Sequence, residues 1–353
     1  MWFVRNIKRV VPLVSAAMVV GCIPHDGARD SRYLAPPQDL PPRYLPEEQA
    51  PVPIVPSRPV WEARPVTPDA RDVAAAEYTV SPGQTLRSIA NSSGAGSEAI
   101  ARANGLQPPF VIFAGQRLII PAGRYHLVRQ GETGIAIARA FGVPWSRIVA
   151  DNELVDPYIL RAGQRILIPR AGPMTPAERA AAFHLDIDDI VTGSEPALAS
   201  NQRPVEPSRS ASRILPPDAY VAEPLRRTGS FAWPVNGNVI GRFGPISPGE
   251  RNNGVKIAVP INTPVLAAAD GVVAYTGEGV AGMGGLVMLK HGEGWKTVYA
   301  HTRQILVQRG QGVKRGQTIA LSGDSGYAKS PQLHFEIRNG RTPVDPLGQL
   351  PRR

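Results

Sequence analysis

Gln332-Leu333-His334-Phe335-Glu336-Ile337-Arg338 alternates polar and apolar residues without a break. Successive side chains of an extended strand point to opposite faces, so Gln332, His334, Glu336 and Arg338 share one face and Leu333, Phe335 and Ile337 the other. Further chemistry-bearing residues lie upstream. Tyr299-Ala300-His301 reads as a second strand, and Asn252-Asn253-Gly254-Val255-Lys256 leads into a third. Taken alone, His301 and His334 fit ordinary buried histidines. Their company is more telling: Pro260-x-x-Thr263-Pro264-Val265, Ala269-Asp270-Gly271-x-Val273, His291-Gly292, Gly310-x-x-Val313-x-x-Gly316-Gln317 and Ser322-Gly323-x-Ser325-Gly326. Most of these glycines suit turns between short strands, and so they argue for a fold and not for chemistry.

In that order the motifs resemble the LytM (lysostaphin-type) zinc peptidases, which cut peptidoglycan cross-bridges. The resemblance covers roughly residues 231–350 and implies a mainly antiparallel β domain. The family signature is His-x-Gly-x-Asp, then Tyr-x-His, then His-x-His ahead of Phe-Glu. Carried over position by position, the first ligand histidine falls on Asn252 and the ligand aspartate on Lys256, while the third ligand matches His334. Of two non-ligand catalytic histidines, one matches His301 and the other falls on Gln332. A catalytic zinc takes three protein ligands and a water, and one ligand remains. An ammonium about 4 Å from Zn²⁺ would add up to roughly 8 kcal/mol of repulsion at an effective dielectric near 20. The resemblance therefore implies a degenerate peptidase domain with no catalytic residues, no bound metal and no cofactor.

The 353 residues exceed what one core usually organises, and proline, 37 residues in all, is concentrated between the folded-looking stretches. Arg5, Lys8 and Arg9 precede an apolar run from Val10 to Val20, which reads as a secretory signal over 1–21 and is too short to span a membrane. Cys22 is the sole cysteine, so no intramolecular disulfide is available. Val19-Val20-Gly21-Cys22 looks like a bacterial lipobox, with Cys22 as the acylated anchor. Ile23 after the cysteine, where aspartate would favour the inner membrane in such lipoproteins, leans toward the periplasmic face of the outer membrane of a Gram-negative cell. Residues 22–76, rich in Pro, Arg and Asp, read as a disordered tether, about 40 Å across as a coil and about 170 Å when extended. A second Pro/Ser/Ala-rich linker is expected over 171–230, with one short helix at Pro176–Phe183.

Between the linkers the chain repeats. Residues 78–121 and 126–169 align without a gap at an offset of 48, with Val80/Val128, Gly83/Gly131, Thr85/Thr133, Asn104/Asn152, Leu106/Leu154 and Gln116/Gln164 among the identical pairs. Each copy reads as strand, two short helices and strand (βααβ), with Asn104 and Asn152 ending the second helix. Val-x-x-Gly-x-Thr, Asn-x-Leu and Gly-Gln-x-Leu/Ile-x-Ile-Pro resemble the LysM module, and domains are drawn at 77–122 and 125–170. In that family N-acetylglucosamine-containing glycan lies between the first strand–helix loop and the second helix–strand loop. The resemblance thus implies glycan contacts at Gly83, Gln84, Thr85, Gly105 and Leu106 in one copy, and at Gly131, Glu132, Thr133, Glu153 and Leu154 in the other. Gly134 replaces Leu86, which weakens that helix's propensity and lets the copies differ in affinity.

The net charge is +10, and residues 231–353 hold 14 Lys/Arg against 7 Asp/Glu. Such a balance is compatible with nucleic acid, but the export signal and the lack of a basic helical stripe argue against that. Peptidoglycan carboxylates or an acidic protein surface fit better.

The order lipobox, tether, LysM pair, linker and degenerate LytM domain resembles the NlpD-type murein hydrolase activators. In that family the metal-free groove contacts a zinc-dependent N-acetylmuramyl-L-alanine amidase and displaces its inhibitory helix. The resemblance implies a groove walled by Asn252, Asn253 and Lys256, floored by Tyr299 and His301, and closed by Gln332, His334 and Arg338, with Arg338 free to fork onto an amidase carboxylate. Two alternatives stay open: a scaffold tethering the outer membrane to peptidoglycan, and an active metallopeptidase with a rearranged site.

Overall fold

The computed structural model describes residues 64–170, 175, 178, 183–208, 215, 216, 218–278 and 280–353. Cys22, the tether up to residue 63 and most of the helix expected at 176–183 lie outside these residues.

Both repeats form the expected βααβ unit. Ala76–Thr79 pairs antiparallel with Arg117–Ile120 in the first, and Gly123–Leu127 with Arg165–Leu167 in the second. Thr85 and Thr133 cap the first helices, Leu86–Ser93 and Gly134–Phe141, by accepting from the amides of Ser88 and Ala136. The repeat asparagines do more than end a helix. Asn104 donates to the carbonyls of Ile100 and Ile119 and accepts from the Ile119 amide, each at 2.8 Å, and Asn152 does the same with Ile148 and Leu167 at 2.7–2.8 Å. Each one ties its second helix to the last strand. The end of the expected tether is ordered as well: Arg71–Val73 pairs antiparallel with Gly123–Tyr125 of the second repeat.

The C-terminal domain is built on one antiparallel sheet. Its strands run in the order Gly312–Val313, Gly271–Gly277, Gly285–Gly292, Trp295–Ile305, Gln332–Asn339, Val255–Ala258, Asn238–Gly241. Alternation sorts the two faces. Leu333, Phe335 and Ile337 join Val255, Ile257, Val287, Leu289 and Tyr299 in the main core. Val298, Ala300, Leu286 and Met288 point the other way, into a second cluster.

That second cluster contains a surprise for the linker expected at 171–230, because part of it is folded. Asp186 caps a helix over Ile187–Gly193 in a reciprocal capping box with Asp189. Leu185, Ile187, Ile190 and Val191 then bury against the sheet face and against Ile135 of the second repeat. Proline content pointed to an irregular chain, but it said nothing of this apolar stripe. Burying four such side chains yields about 6–12 kcal/mol gross, while ordering seven residues of backbone costs roughly 7–14 kcal/mol. Polar contacts therefore decide whether the segment stays. Arg338 supplies one, donating to Glu336 at 2.6 Å and to Asp188 of the linker helix. Glu195 supplies another, accepting from Lys290 at 3.0 Å and Arg309 at 2.8 Å. Burial alone would raise the Glu195 carboxyl, but these two cations outweigh it and hold it below the usual carboxylate range. Among the described residues no helix is long and apolar enough to cross a membrane.

Two outcomes follow for stability. Arg338→Met leaves the buried Glu336 with His334 as its one remaining side-chain partner and should cost about 3–5 kcal/mol in urea denaturation, whereas Asp188→Asn, whose side chain is 42% exposed, should cost far less. The second concerns His291, which is fully buried between the Asp270 carbonyl and the Thr297 hydroxyl, both at 2.7 Å. Burial pushes its imidazole down from 6.5 to about 4, so the fold requires the neutral ring. Its contribution is complete above pH 6.5 and fades as pH falls toward 4, about 3 kcal/mol in all. Comparing denaturation midpoints at pH 7 and 4.5, His291→Gln should lose markedly less stability on acidification than the wild type.

Candidate functional site

Strand pairing brings the motifs from three parts of the sequence together. His334 lies opposite Lys256 on one side and Ala300 on the other. Gly254 of the first motif serves this packing, since a Cβ there would sit 2.2 Å from the Phe335 carbonyl oxygen. His301 faces His334, their ring centroids 6.1 Å apart. It reaches that side through a left-handed backbone, φ 64°, which is uncommon for a side chain with a Cβ and typical of functional sites. The Ser325 carbonyl, 2.8 Å from Nδ1, fixes the proton of the neutral ring there and leaves Nε2 unprotonated. Burial, together with the neighbouring His334 and Lys256, holds the ring below the ordinary histidine value. His334 Nε2 lies 3.0 Å from Glu336, and its Nδ1 is buried without a partner. The Asn252 side-chain amide donates to the Arg242 carbonyl at 2.7 Å. Among the described residues no group of three or more His, Cys, Asp or Glu is placed to hold a metal ion.

Two of the residues expected in the groove are not in it. Tyr299 is fully buried on the opposite face, in the main core, where its hydroxyl accepts from the Ala268 amide at 2.8 Å. The resemblance placed it on the groove floor with His301, but the left-handed backbone at His301 sends that side chain to the face Tyr299 does not share. Arg338 is 1% exposed and committed to Glu336 and Asp188, so it is not free to meet an external carboxylate. Asn252, His301, Gln332 and His334 are buried too, while Asn253 and Lys256 remain half-buried.

The two repeat grooves differ. In the first, Gln84, Thr85, Leu86, Arg87, Ser97 and the 109–112 loop line an open pocket of about 460 Å³, the loop's Phe110 exposed. Gly83 and Gly105 flank the same loops, and Leu106 lines a smaller pocket between the repeats with Glu153 and Leu154. In the second, Gly131, Glu132 and Thr133 are buried. Glu132 bonds His126 at 2.9 Å and the Arg129 amide at 2.9 Å. The chain's own stretch 196–198 bridges Thr133 and Arg161, and Arg64 and Asp218 lie against Gly131.

Sequence reasoning missed Glu195, Lys290 and Arg309, together with the linker helix. The available signal was Asp186-x-x-Asp189 ahead of Ile190-Val191, a capping pattern leading an apolar run.

Residues 78–121 and 126–169 each match the family model for the LysM domain, and residues 250–346 match peptidase family M23, to which LytM-type domains belong. The chain is 50% identical over 125 residues to the lipoprotein NlpD/LppB homolog of Pseudomonas aeruginosa, covering 35% of this chain and 41% of that one. It is 41% identical over 124 residues to the murein hydrolase activator NlpD of Escherichia coli, covering 35% of this chain and 32% of that one. It thus spans less than half the length of these two relatives. With the lipoprotein YgeR of Escherichia coli the likeness is longer, 32% identity over 276 residues, covering 78% of this chain and 80% of that one. Two LysM domains ahead of an M23 domain, matched along most of such a lipoprotein, mean that the chain belongs to the NlpD-type family of LysM–M23 lipoproteins.

Proposed function

We propose that this chain is an envelope lipoprotein that binds peptidoglycan through LysM and activates an N-acetylmuramyl-L-alanine amidase during septal wall splitting, without cutting anything itself. The observation that carries the second half is Lys256 directly opposite His334. An ammonium stands on the strand where a metal cation would have to bind, the Asn252 amide is committed to Arg242 and His334 Nε2 to Glu336, and the two imidazole nitrogens that remain, His334 Nδ1 and His301 Nε2, fall short of three protein ligands. This donor set does not fit zinc. Cys22 is the proposed lipid anchor at the outer membrane. Relatives named murein hydrolase activators support the reading.

Activation needs no chemistry from this domain. A surface that binds the open amidase in preference to the closed one raises the open share by its differential affinity. Lys256 and Asn253, half-buried at the rim, are the residues such a partner would meet first, with His301 and Gln332 behind them. One observation favours the scaffold alternative: most groove residues are buried, which would leave the LysM grip as the main activity.

The test uses the full chain, made non-acylatable by Cys22→Ser, on dye-labelled peptidoglycan. Alone it should release no dye and hold no stoichiometric zinc. Mixed with the organism's zinc amidase it should raise release at least tenfold, and Lys256→Glu should abolish most of that gain. Chelator-sensitive release by the chain alone would make it a hydrolase, and silence in both mixtures would leave the scaffold.

A further inference from the structure

The second repeat's groove is filled by the chain itself. Gly131 donates its amide to the Ala197 carbonyl at 3.2 Å, and Ala197 returns its own to the Glu132 carbonyl at 2.7 Å. On the other loop, Leu198 donates to the Leu160 carbonyl and Ala162 to the Leu198 carbonyl, both at 3.0 Å. These four bonds take up backbone groups of both loops that border the groove, in the manner of an added strand. Ala197 is 1% exposed, as is Thr133 beneath it, whereas the equivalent Thr85 of the first repeat is exposed.

The difference was written into the repeats before any linker docked. Where the first copy has Leu86 and Ser97, the second has Gly134 and Trp145. A Cβ on Gly134 would come within 2.5 Å of the Trp145 ring, and one on Gly193 of the linker helix within 2.6 Å. The indole therefore sits between two glycines, one from the module and one from the linker, and its Nε1 donates to Thr192 at 3.0 Å. The Leu86 side chain would block such a seat. At the start of the inserted stretch, Glu195 is held by Lys290 and Arg309 of the sheet domain.

We infer that the second LysM groove is a peptide site whose ligand is the chain's own extended segment 195–199, and that it is closed to glycan, leaving the first module as the sole sugar-binding copy. This rests on the LysM glycan reading only for the first module. The second module becomes a clasp that fixes the linker, and with it the helix lying over the Glu336–Arg338 end of the polar sheet face.

Two measurements on the full chain carrying Cys22→Ser test this: hydrogen–deuterium exchange of peptides covering 193–202, and calorimetric titration with the N-acetylglucosamine pentamer. In the wild type, the Ala197 and Leu198 amides should exchange at least 100-fold slower than free peptide, with or without pentamer, and one equivalent of pentamer should bind. Ala197→Pro removes the amide bonded to Glu132. It should release the segment and raise the stoichiometry to two, while slow exchange over 134–141 confirms that the module is still folded. Fast exchange at 197–198 in the wild type would overturn the inference, as would two equivalents bound to it, or pentamer-induced release of the segment. Slow exchange with no pentamer bound anywhere would uphold the clasp and place the failure in the first module's glycan reading.

Discussion

The strand Gln332–Asn339 is buried on both faces, yet one face carries His334, Glu336 and Arg338. Charged groups enter an interior only when paired and hydrogen-bonded, and that requirement organises what lies around them. Glu336 bridges His334 and Arg338 within the strand. Arg338 still has donors to place, and Asp188 and the Arg341 carbonyl accept them. The partner for a sheet residue thus comes from 150 positions earlier in the chain. Lys290 sets the same demand two strands away, and Glu195 meets it. The linker acts as counter-ion and cover for a sheet face that is too apolar to be left wet and too charged to be packed with hydrocarbon alone.

The same economy explains how one repeat came to differ from its twin. The two share caps, the asparagine tie and the paired strands, so they share a fold. They part at Leu86/Gly134 and Ser97/Trp145, where a small residue beside a large aromatic opens a slot for a second glycine on an approaching helix. Glu132 keeps the role of Gln84, each accepting the amide three residues back, from Arg129 and Ser81. Conserving that loop geometry is what lets a peptide use it.

Much of this architecture was legible in the residues. Strict alternation located the central strand, the 48-residue offset located two modules, and the motif glycines fixed the sheet's turns. The candidate site was legible only in part. Lys256 and His334 meet because both lie on strands whose registers the apolar residues fix. Tyr299 was misplaced because the backbone turns at His301, which no spacing rule reveals. Arg338 was read as free because its partner lies in a stretch whose prolines suggested disorder.

The sequence by itself determined the modules, their order, and the identity of the side chains on the polar face, because periodicity and turn residues are local properties. Only the tertiary structure decided which of those side chains remain reachable. That depends on long-range pairing of charges and on packing around Trp145, and the linker stretch 185–199 settles both by lying at once on the sheet and in the second groove.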